Sequence, residues 1–478
     1  MAIPLLFALV LLGLMSPLQA QQTFTTGETI QLPSMTVSAA DHATLATNSY
    51  GDVFIANHAD HASGGKMVEG TAIASIGNHA FRTSDTLLLG DPSLNLVGAD
   101  TCRKPDVEAL GDGSFVVVWP RSDRNHVAPA RLEAVRVVLR NLHGVLLSAP
   151  EVHRSAPGRG YLLDANVTAG DAGLMPDLVW LGEQDELGCA VVYAHEIDTS
   201  LTSNKQFREY ELRCSRIDWS KWHFDPRFLD GPHVVVPNIP MDNPLTDPFT
   251  GGLILPDLVL DDCGSLVVAF EEAVLAPHFN HSGPFQSRIR MLRFESFGSV
   301  NPLQQIDVVS LPSASSEHRA RRPNLSSSRE DGTDSVSVTY GLEGFQGAGT
   351  GIEYKSVVYK ADGVGGYRAL QNAHWVQDPN KFDNLPSVAD DKDLRSCFAV
   401  RQFQGQRKLV SSLSHSSGLT ALTEVHTPIQ FPWRPAAKLT TYTTPGAGHD
   451  LSFAAICYEG ADTLTPSTYR IYFTYRQL

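Results

Sequence analysis

Residues 105 to 119 read PDVEALGDGSFVVVW: a short apolar strand, an acidic turn with glycine, and a continuous apolar strand. Asp and Gly favour tight turns, and a run such as FVVVW is typical of a strand buried on both faces. A close copy, PDLVLDDCGSLVVAF, occupies residues 256 to 270. This repetition indicates a chain built from one structural unit, whose two strands we call a and b.

Five further copies show the same order of elements. One begins at Ala43 and lacks the proline, and the others begin at Pro176, Pro323, Pro386 and Pro435, so that copies recur every 49 to 80 residues. A repeat of this length made of short strands and turns predicts the blades of a β-propeller. We expect two more polar strands, c and d, to complete each four-stranded antiparallel blade. In the second copy they cover about residues 132 to 139 and 145 to 152.

The two ends of the chain predict how the repeat closes. The seventh copy ends in a c strand at residues 469 to 475, and a spare strand-like segment, residues 28 to 37, precedes the first a strand. We expect this N-terminal strand to complete the last blade and close a seven-bladed all-β ring over residues 21–478. A pair of β-sandwiches is the alternative, but it does not explain seven copies.

The N-terminus indicates a secreted protein. Residues 1–20 contain an apolar run too short to span a bilayer, followed by a small residue, which is typical of a signal peptide. The formal net charge of -15 opposes non-specific nucleic-acid binding. We expect an extracellular or periplasmic monomer that does not enter the membrane.

The six cysteines contain no CxxC pair, which argues against a zinc ribbon or a thioredoxin-like site. Cys189 starts strand b and Cys214 ends strand c of the third copy. We expect these two residues to lie at the same end of neighbouring strands, within reach of a disulfide bond.

Histidines collect after the b strands, where the b–c and d–a loops of a propeller share one face. His153 follows a d strand and is expected on the same face. Arg121, Arg124, Arg154, Arg159 and Lys205 would add local positive charge. Since imidazole suits proton transfer near neutral pH, we expect a functional face. The histidines that follow b strands are His58, His61, His126, His195, His278 and His281.

Three kinds of chemistry fit this face. The first is metal binding, by His58 and His61 with Asp60, or by His278 and His281. The second is glycoside hydrolysis by two carboxylates, for which Asp60, Asp123, Glu196, Glu271 and Glu272 are available. The third is β-elimination on a uronic acid, which needs a base, an acid and a cation that neutralises the sugar carboxylate.

The order His126, Tyr193, Arg208 resembles the ulvan lyases, which are secreted seven-bladed propellers that cleave an algal sulfated polysaccharide. The resemblance implies that His126 is the base, Tyr193 the acid and Arg208 the group that neutralises the uronate. The second histidine of that family has two counterparts by sequence, His143 on a c–d turn and His153 on the expected face. A further family tyrosine has no counterpart between residues 241 and 252.

The resemblance therefore implies a polysaccharide lyase that acts on an anionic, uronic-acid-containing and sulfated glycan. His195, Arg124, His58, His61, His278 and His281 are the candidate substrate-binding residues, and His195 is also a second candidate base. No cofactor is needed for this chemistry, and a structural zinc or calcium ion is compatible with it. The alternatives are a glycoside hydrolase and a non-catalytic propeller that binds carbohydrate or protein, since the string DGSFVVVW is also similar to repeats of large secreted bacterial proteins.

Overall fold

A computed structural model of the chain describes residues 21 to 477 apart from internal stretches. The longer stretches outside the description are 95–99, 124–129, 168–175, 198–206, 222–229, 243–255, 275–285, 296–300, 309–317, 345–351, 362–366, 377–386, 444–449 and 462–468. The shorter ones are 37–38, 63, 78, 103, 262, 331–332, 392–393, 404–405, 416–417, 420–422, 426 and 430. The expected signal peptide, residues 1–20, also lies outside the described residues.

The described residues fold almost entirely into β-strands, and no α-helix occurs among them. Three single turns of 3-10 helix lie at Pro92–Leu94, Glu183–Asp185 and Trp219–Lys221. Neighbouring strands pair antiparallel, with one parallel exception given below. Within these residues, no helix has the length and apolar character that crossing a membrane requires. The all-β, antiparallel prediction is confirmed.

The N-terminal part of the chain forms the first sheet. The strands in this part are β1 (Thr23–Thr25), β2 (Thr29–Gln31), β3 (Ala40–Thr47), β4 (Val53–Asp60), β5 (Lys66–Gly77), β6 (Ala80–Thr83) and β7 (Leu87–Gly90). Their order in the sheet is β1-β6-β5-β4-β3, β7 also pairs with β5, and β2 belongs to the last sheet.

The second and third sheets follow in chain order. The second contains β8 (Asp100–Cys102), β9 (Asp106–Ala109), β10 (Phe115–Asp123), β11 (Ala130–Arg140), β12 (Leu146–His153) and β13 (Tyr161–Val167). Here β8 and β9 both pair with β10, while β12 and β13 both pair with β11. The third sheet contains β14 (Asp177–Trp180), β15 (Gly188–Glu196), β16 (Phe207–Asp218) and β17 (Asp230–Asp242).

An eight-stranded sheet comes next and consists of two antiparallel halves. The first half is β18 (Asp257–Leu260), β19 (Leu266–Val274), β20 (Gln286–Phe294) and β21 (Gln304–Asp307). The second half is β22 (His318–Glu330), β23 (Thr333–Gly344), β24 (Ile352–Ala361) and β25 (Tyr367–Val376). A single parallel pair, Ser287 with Arg319, joins the two halves.

A five-stranded sheet and the last sheet complete the described chain. The former contains β26 (Ser387–Asp391), β27 (Leu394–Phe403), β28 (Gln406–His415), β29 (Gly418–Leu419) and β30 (Thr423–Glu424). The latter contains β31 (Phe431–Thr443), β32 (Asp450–Ala461) and β33 (Arg470–Gln477). Strand β2 pairs antiparallel with β33. The N-terminal segment therefore extends the last sheet at its edge, which is the pairing that the sequence predicted.

All seven copies read from the sequence contain an antiparallel a–b pair. These pairs are β3–β4, β9–β10, β14–β15, β18–β19, β22–β23, β26–β27 and β31–β32. The b strands that read as continuous apolar runs are buried on both faces, since residues 53 to 56 and 115 to 119 have no exposed area. Burial on both faces requires a packed neighbour on each side.

Consecutive sheets share hydrophobic clusters. Phe54 and Phe115 lie in the cluster between the first and second sheets. One further cluster joins the second sheet to the third, and another joins the third sheet to the eight-stranded sheet. A third lies between the two halves of the eight-stranded sheet, and a fourth joins the five-stranded sheet to the last sheet. Strand β26 also lies against β22. The last sheet packs against the first through Phe473, Tyr475, Phe24 and Ile30.

Aspartates on the a strands add polar contacts between neighbouring copies. Asp106 accepts a hydrogen bond from the Leu178 amide of the next a strand at 2.8 Å. Asp177 and Asp257 accept in the same way from the amides of Leu258 and Leu325. The side chain that follows the repeat's proline therefore links each of these copies to the next.

The predicted Cys189–Cys214 bridge is wrong. Both thiols are free, and Cys189 lies opposite Ile217 while Cys214 lies opposite Val192. Side chains alternate between the two faces of a strand. Cys189 accordingly lies in the core shared with the second sheet, and Cys214 in the core on the opposite side.

Candidate functional site

Several of the residues that the sequence predicted lie outside the described residues. These are His126 and Arg124, which follow β10 in the sequence, and His278 and His281, which follow β19. Arg208 lies in β16, where its backbone pairs with Met241 near the loop end of the strand. Its side chain is not among those described.

Tyr193 lies inside the protein. Its side chain has no exposed area and packs in the core between the second and third sheets. The hydroxyl donates a hydrogen bond to Asp164 Oδ2 at 2.8 Å. Burial, reinforced by the charge of Asp164, raises the pKa of Tyr193, so the hydroxyl stays protonated. In this arrangement Tyr193 supports Asp164 and presents no surface to a ligand.

Asp164, Tyr193, His195, Glu211 and Arg213 form a charged group that we call the His195 cluster. In the register of β15 and β16, Tyr193 lies opposite Arg213 and His195 opposite Glu211, so the four side chains share a face. Arg213 Nη1 is 3.2 Å from Asp164 Oδ2, and its Nε donates to Glu211 Oε1 at 2.7 Å. Two carboxylates therefore hold one guanidinium beside His195.

His195 is half-buried and lies next to the loop end of β15. Burial lowers its pKa, the positive charge of Arg213 lowers it further, and Glu211 and Asp164 oppose this in part. The pKa therefore falls below the ordinary value of 6.5, and the imidazole is neutral at pH 7. A neutral imidazole keeps one nitrogen that can accept a proton.

His153 does not join the His195 cluster. It is the last residue of β12 and lies opposite Arg136, which in turn lies opposite Val116 near the start of β10. Arg136 is ion-paired with Asp112 in the a–b turn. The loop end of β11 is instead covered by β13. His153 thus lies towards the turns, away from the face where the sequence predicted it, because strand d is interrupted.

His58 and His61 lie at the seam, which is where the first sheet meets the second and the last. His58 is buried, with Nδ1 3.1 Å from Asp41 Oδ1 and Nε2 2.9 Å from the Cys102 carbonyl oxygen. His61 Nε2 is 3.9 Å from Asp91 Oδ1. The sequence paired His58 with His61, whereas the structure places Asp41 against His58.

Asp41, His42 and His58 form a group that sequence reasoning missed. One potential ligand atom from each lies within 4.8 Å of the other two. Burial would raise the pKa of Asp41, but the hydrogen bond and charge of His58, with His42 and Lys66, hold it well below its usual range. An Asp-His dipeptide is too common to have identified this group, which depends on a break in the register of β3 between Asp41 and Thr44.

Arg121, one of the positive residues predicted for the functional face, is buried and bonded to the protein's own groups. Only 4% of it is exposed, and its guanidinium donates to the carbonyl oxygens of Asp91 at 2.9 Å and Gly158 at 2.7 Å. Its Nε is 3.1 Å from Glu133 Oε1. Arg121 therefore ties two connecting segments together and is not exposed to a polyanion.

No protein-family model matches the sequence. No curated protein matches it either.

Solved structures give weak similarities. A Dyadobacter fermentans protein of unknown function is 9% identical with a TM-score of 0.44, covering 95% of this chain and 98% of its own. A Penicillium chrysogenum α-L-arabinanase solved with arabinobiose is 12% identical with a TM-score of 0.45, covering 78% and 92%. A Trypanosoma rangeli sialidase solved with sialic acid is 8% identical with a TM-score of 0.44, covering 93% and 73%. Identities and TM-scores this low carry no conclusion about function.

Proposed function

We propose that this chain is a secreted polysaccharide lyase that cleaves an anionic, uronic-acid-containing and sulfated glycan by β-elimination. The observation that carries the proposal is His195, a half-buried neutral imidazole at a strand end, fixed beside Arg213 and two carboxylates. A base of this kind is what removal of a proton next to a carboxylate requires.

The proposed frame is a closed seven-bladed propeller over residues 21–478, acting as a monomer after loss of residues 1–20. Seven antiparallel a–b pairs support the blade count. The pairing of β2 with β33, and the packing of the last sheet on the first, support closure. The proposed glycan canyon lies at the end of strand b that carries His195.

In the proposed reaction His195 takes the proton from C5 of the uronate. The electrons form the C4–C5 double bond, the C4–O bond breaks, and the leaving oxygen takes up a proton. Because Arg213 already pairs with Glu211 and Asp164, neutralisation of the substrate carboxylate falls to Arg208. No metal or cofactor takes part in these steps.

The burial of Tyr193 bears on the choice of acid. With no exposed area, Tyr193 positions Asp164 and Arg213, and His195 returns its proton to the leaving oxygen. The resemblance to ulvan lyases instead assigns the base to His126 and the acid to Tyr193. The two assignments differ in the expected effect of Tyr193→Phe, which costs about 100-fold or more in rate if Tyr193 is the acid and less if it positions Asp164.

The test is to incubate the purified chain with a panel of uronic-acid polysaccharides, ulvan included, and to follow the ultraviolet absorbance of the unsaturated uronate. We expect a rise that His195→Ala reduces by roughly 100- to 10,000-fold. His143→Ala is the control, because His143 is exposed on the c–d turn of the second copy. His126→Ala and Arg208→Ala separate the remaining roles.

Other outcomes of this assay would contradict the lyase proposal or assign its base to another residue. New reducing ends without ultraviolet absorbance would identify a glycoside hydrolase. Binding of the glycan without either product would identify a carbohydrate-binding propeller. A rise that survives in His195→Ala and disappears in His126→Ala would keep the lyase and move the base to His126.

The pH profile gives an independent prediction for His195. Because burial and Arg213 lower its pKa, the acidic limb of kcat/KM should have its midpoint below pH 6.5. Asp164 raises the pKa of His195, so Asp164→Asn should move this midpoint to lower pH. Kinetics of both proteins between pH 4 and 8 measure the shift. A midpoint above 6.5 in the unmodified protein would contradict the role of His195.

A further inference from the structure

The seam contains a second group of side chains with defined chemistry, which the lyase proposal does not use. Asp41 and His42 lie in β3, and His58 lies opposite Asp41 in β4. Asp41 Oδ1 and His58 Nδ1 are 3.1 Å apart, and the two imidazole centroids are 5.8 Å apart. One carboxylate and two imidazoles thus face each other at a distance that one metal ion spans.

The hydrogen bonds of His58 orient it as a ligand. A carbonyl oxygen only accepts, so Nε2, which is 2.9 Å from the Cys102 carbonyl, carries the hydrogen. Nδ1 faces Asp41, and it becomes a metal ligand when the ion replaces the hydrogen that Nδ1 donates to Asp41. Metal-bound histidines typically donate their other ring N–H to a carbonyl or carboxylate in this way.

The backbone brings His42 into the group at a conformational cost. His42 has a φ of +52°, a left-handed conformation that few non-glycine residues adopt. It lies where the register of β3 and β4 shifts between Asp41 and Thr44. Its amide donates to Glu459 Oε1 at 2.6 Å, which holds the strained residue in place from the last sheet. Strain of this kind is often found at functional sites.

The surrounding charges favour a cation. Asp41, Asp60 and Glu459 contribute three carboxylates, and Lys66 is the ammonium among them. Lys66 Nζ lies 2.6 Å from Asp60 Oδ1 and 3.8 Å from Asp41 Oδ2, so it faces the other oxygen of Asp41. On the other side of Asp41, Oδ1 faces His58, and there the ion would take the place of the hydrogen between the two residues.

We propose that Asp41, His42 and His58 bind a zinc ion at the seam. Two imidazoles and one carboxylate are a ligand set that zinc accepts in tetrahedral geometry, with water in the fourth position. Calcium is disfavoured because it prefers oxygen ligands throughout. The ion would fasten strands a and b of the first sheet where it meets the second and last sheets, independently of catalysis.

The test measures zinc binding by the full chain after treatment with a chelator and desalting. Calorimetric titration with zinc chloride, and the metal content after dialysis, should give one zinc per chain. His42→Asn removes a ligand but tolerates the left-handed backbone, and Asp41→Asn removes the carboxylate. Each should weaken zinc binding at least tenfold. His79→Asn is the control, because His79 is exposed and has a similar φ of +57°.

Thermal unfolding provides a second readout that does not depend on activity. Zinc should raise the Tm of the unmodified chain and of His79→Asn, and leave the Tm of the two ligand variants unchanged. Circular dichroism establishes that the variants are folded. Absence of zinc uptake by the unmodified chain, or equal uptake by the folded ligand variants, would overturn the site.

Discussion

Asp52 and Arg140 join the first and second sheets through two charge-assisted hydrogen bonds. Arg140 Nε is 2.6 Å from Asp52 Oδ2 and Nη2 is 2.7 Å from Oδ1, and the Asp52 side chain has no exposed area. Turn aspartates pair with arginines in later copies as well, as in Asp185 with Arg216 and Asp261 with Arg293. The acidic turn is visible in the sequence, but the arginine that completes it is not.

The burial of this pair predicts a large effect of Asp52→Asn. The substitution leaves the mostly buried guanidinium of Arg140 without its carboxylate partner. This should lower the free energy of unfolding by about 3 to 5 kcal/mol. Asp185→Asn is the matched control, because Arg216 is 40% exposed and its ion pair should contribute about 1 kcal/mol or less. Urea unfolding measures both free energies. Equal losses would contradict the claim that the buried ion pair stabilises the protein more than the exposed one.

Alanine substitutions at two turn glycines allow the cost of backbone strain to be compared with the cost of a steric clash. Gly113 and Gly264 have φ values of +81° and +79°, so an alanine is strained at either position. A Cβ on Gly113 would also lie 2.7 Å from Tyr50 Cε2, whereas among the described residues, apart from its chain neighbours, none has an atom within 4 Å of a Cβ on Gly264. Gly264→Ala should cost about 1 to 2 kcal/mol, and Gly113→Ala clearly more. Thermal unfolding compares the two, and a larger loss for Gly264→Ala would contradict the Tyr50 contact.

At the scale of the strands, period and pattern predicted much of the fold. The Pro-strand-turn-strand pattern located seven a–b pairs, and the predicted c and d strands of the second copy correspond to β11 and β12. Irregularities could not be read in this way. The register shift next to Asp41, and the interruption that places His153 opposite Arg136, depend on contacts between segments distant in the chain.

The aspartates of the a strands have an electrostatic consequence. Asp106, Asp177 and Asp257 each hold an amide of the next copy, and Lys438 lies near them with Nζ 3.7 Å from Glu108 Oε2. Burial raises the pKa of all three aspartates, with Lys438 opposing this at Asp106 and Asp257. The pKa of Asp106 rises to about 6.

A raised pKa makes the folded protein less stable as pH increases. The folded state binds the Asp106 proton up to about pH 6, whereas the unfolded chain releases it near 3.8. Stability from this residue is therefore present below pH 3.8 and is lost as pH rises through about 6. In Asp106→Asn the decrease in the free energy of unfolding between low and neutral pH should be smaller by roughly 1 to 2 kcal/mol. This figure takes the partial exposure of Asp106 into account.

Urea unfolding at several pH values between 4 and 7.5 checks this prediction. Asp85→Asn is the control, because Asp85 is exposed between β6 and β7. Asn can keep both contacts of Asp106, since its oxygen accepts from the Leu178 amide and its amide donates to Thr44. An unchanged pH dependence in Asp106→Asn would show that Asp106 is ionised throughout.

At the scale of the molecule, the candidate site was predicted only in part. The sequence made His195 a candidate base because it lies two residues beyond Tyr193, and the register of β15 and β16 places both on one face. The burial of Tyr193 was not predicted, because it depends on the packing of the second sheet on the third. Cys189 and Cys214 failed as a pair for the same kind of reason, since strand alternation sends them into different cores. Sequence order predicted a functional face, and the register of the strands decides which of the described side chains lie together.

The N-terminal strand β2 joins the two ends of the chain through its pairing with β33. Ile30 lies opposite Phe473 and is 4% exposed in the core shared by the first and last sheets. Gln31 is its exposed neighbour, which accepts a hydrogen bond from the Tyr472 hydroxyl at 3.2 Å. Ile30→Asp buries a charge and should lower the free energy of unfolding by more than about 3 kcal/mol. Gln31→Asp should change it by about 0.5 kcal/mol or less.

Hydrogen exchange shows whether the loss arises where the chain ends meet. If β2 seals the last sheet, the amides of β33 that pair with it should exchange faster in Ile30→Asp and at the original rate in Gln31→Asp. The amides of β15 and β16 in the third sheet are the internal reference. Equal effects of the two substitutions, or protection of β33 that survives Ile30→Asp, would mean that the N-terminal strand is not needed to hold the last sheet against the first.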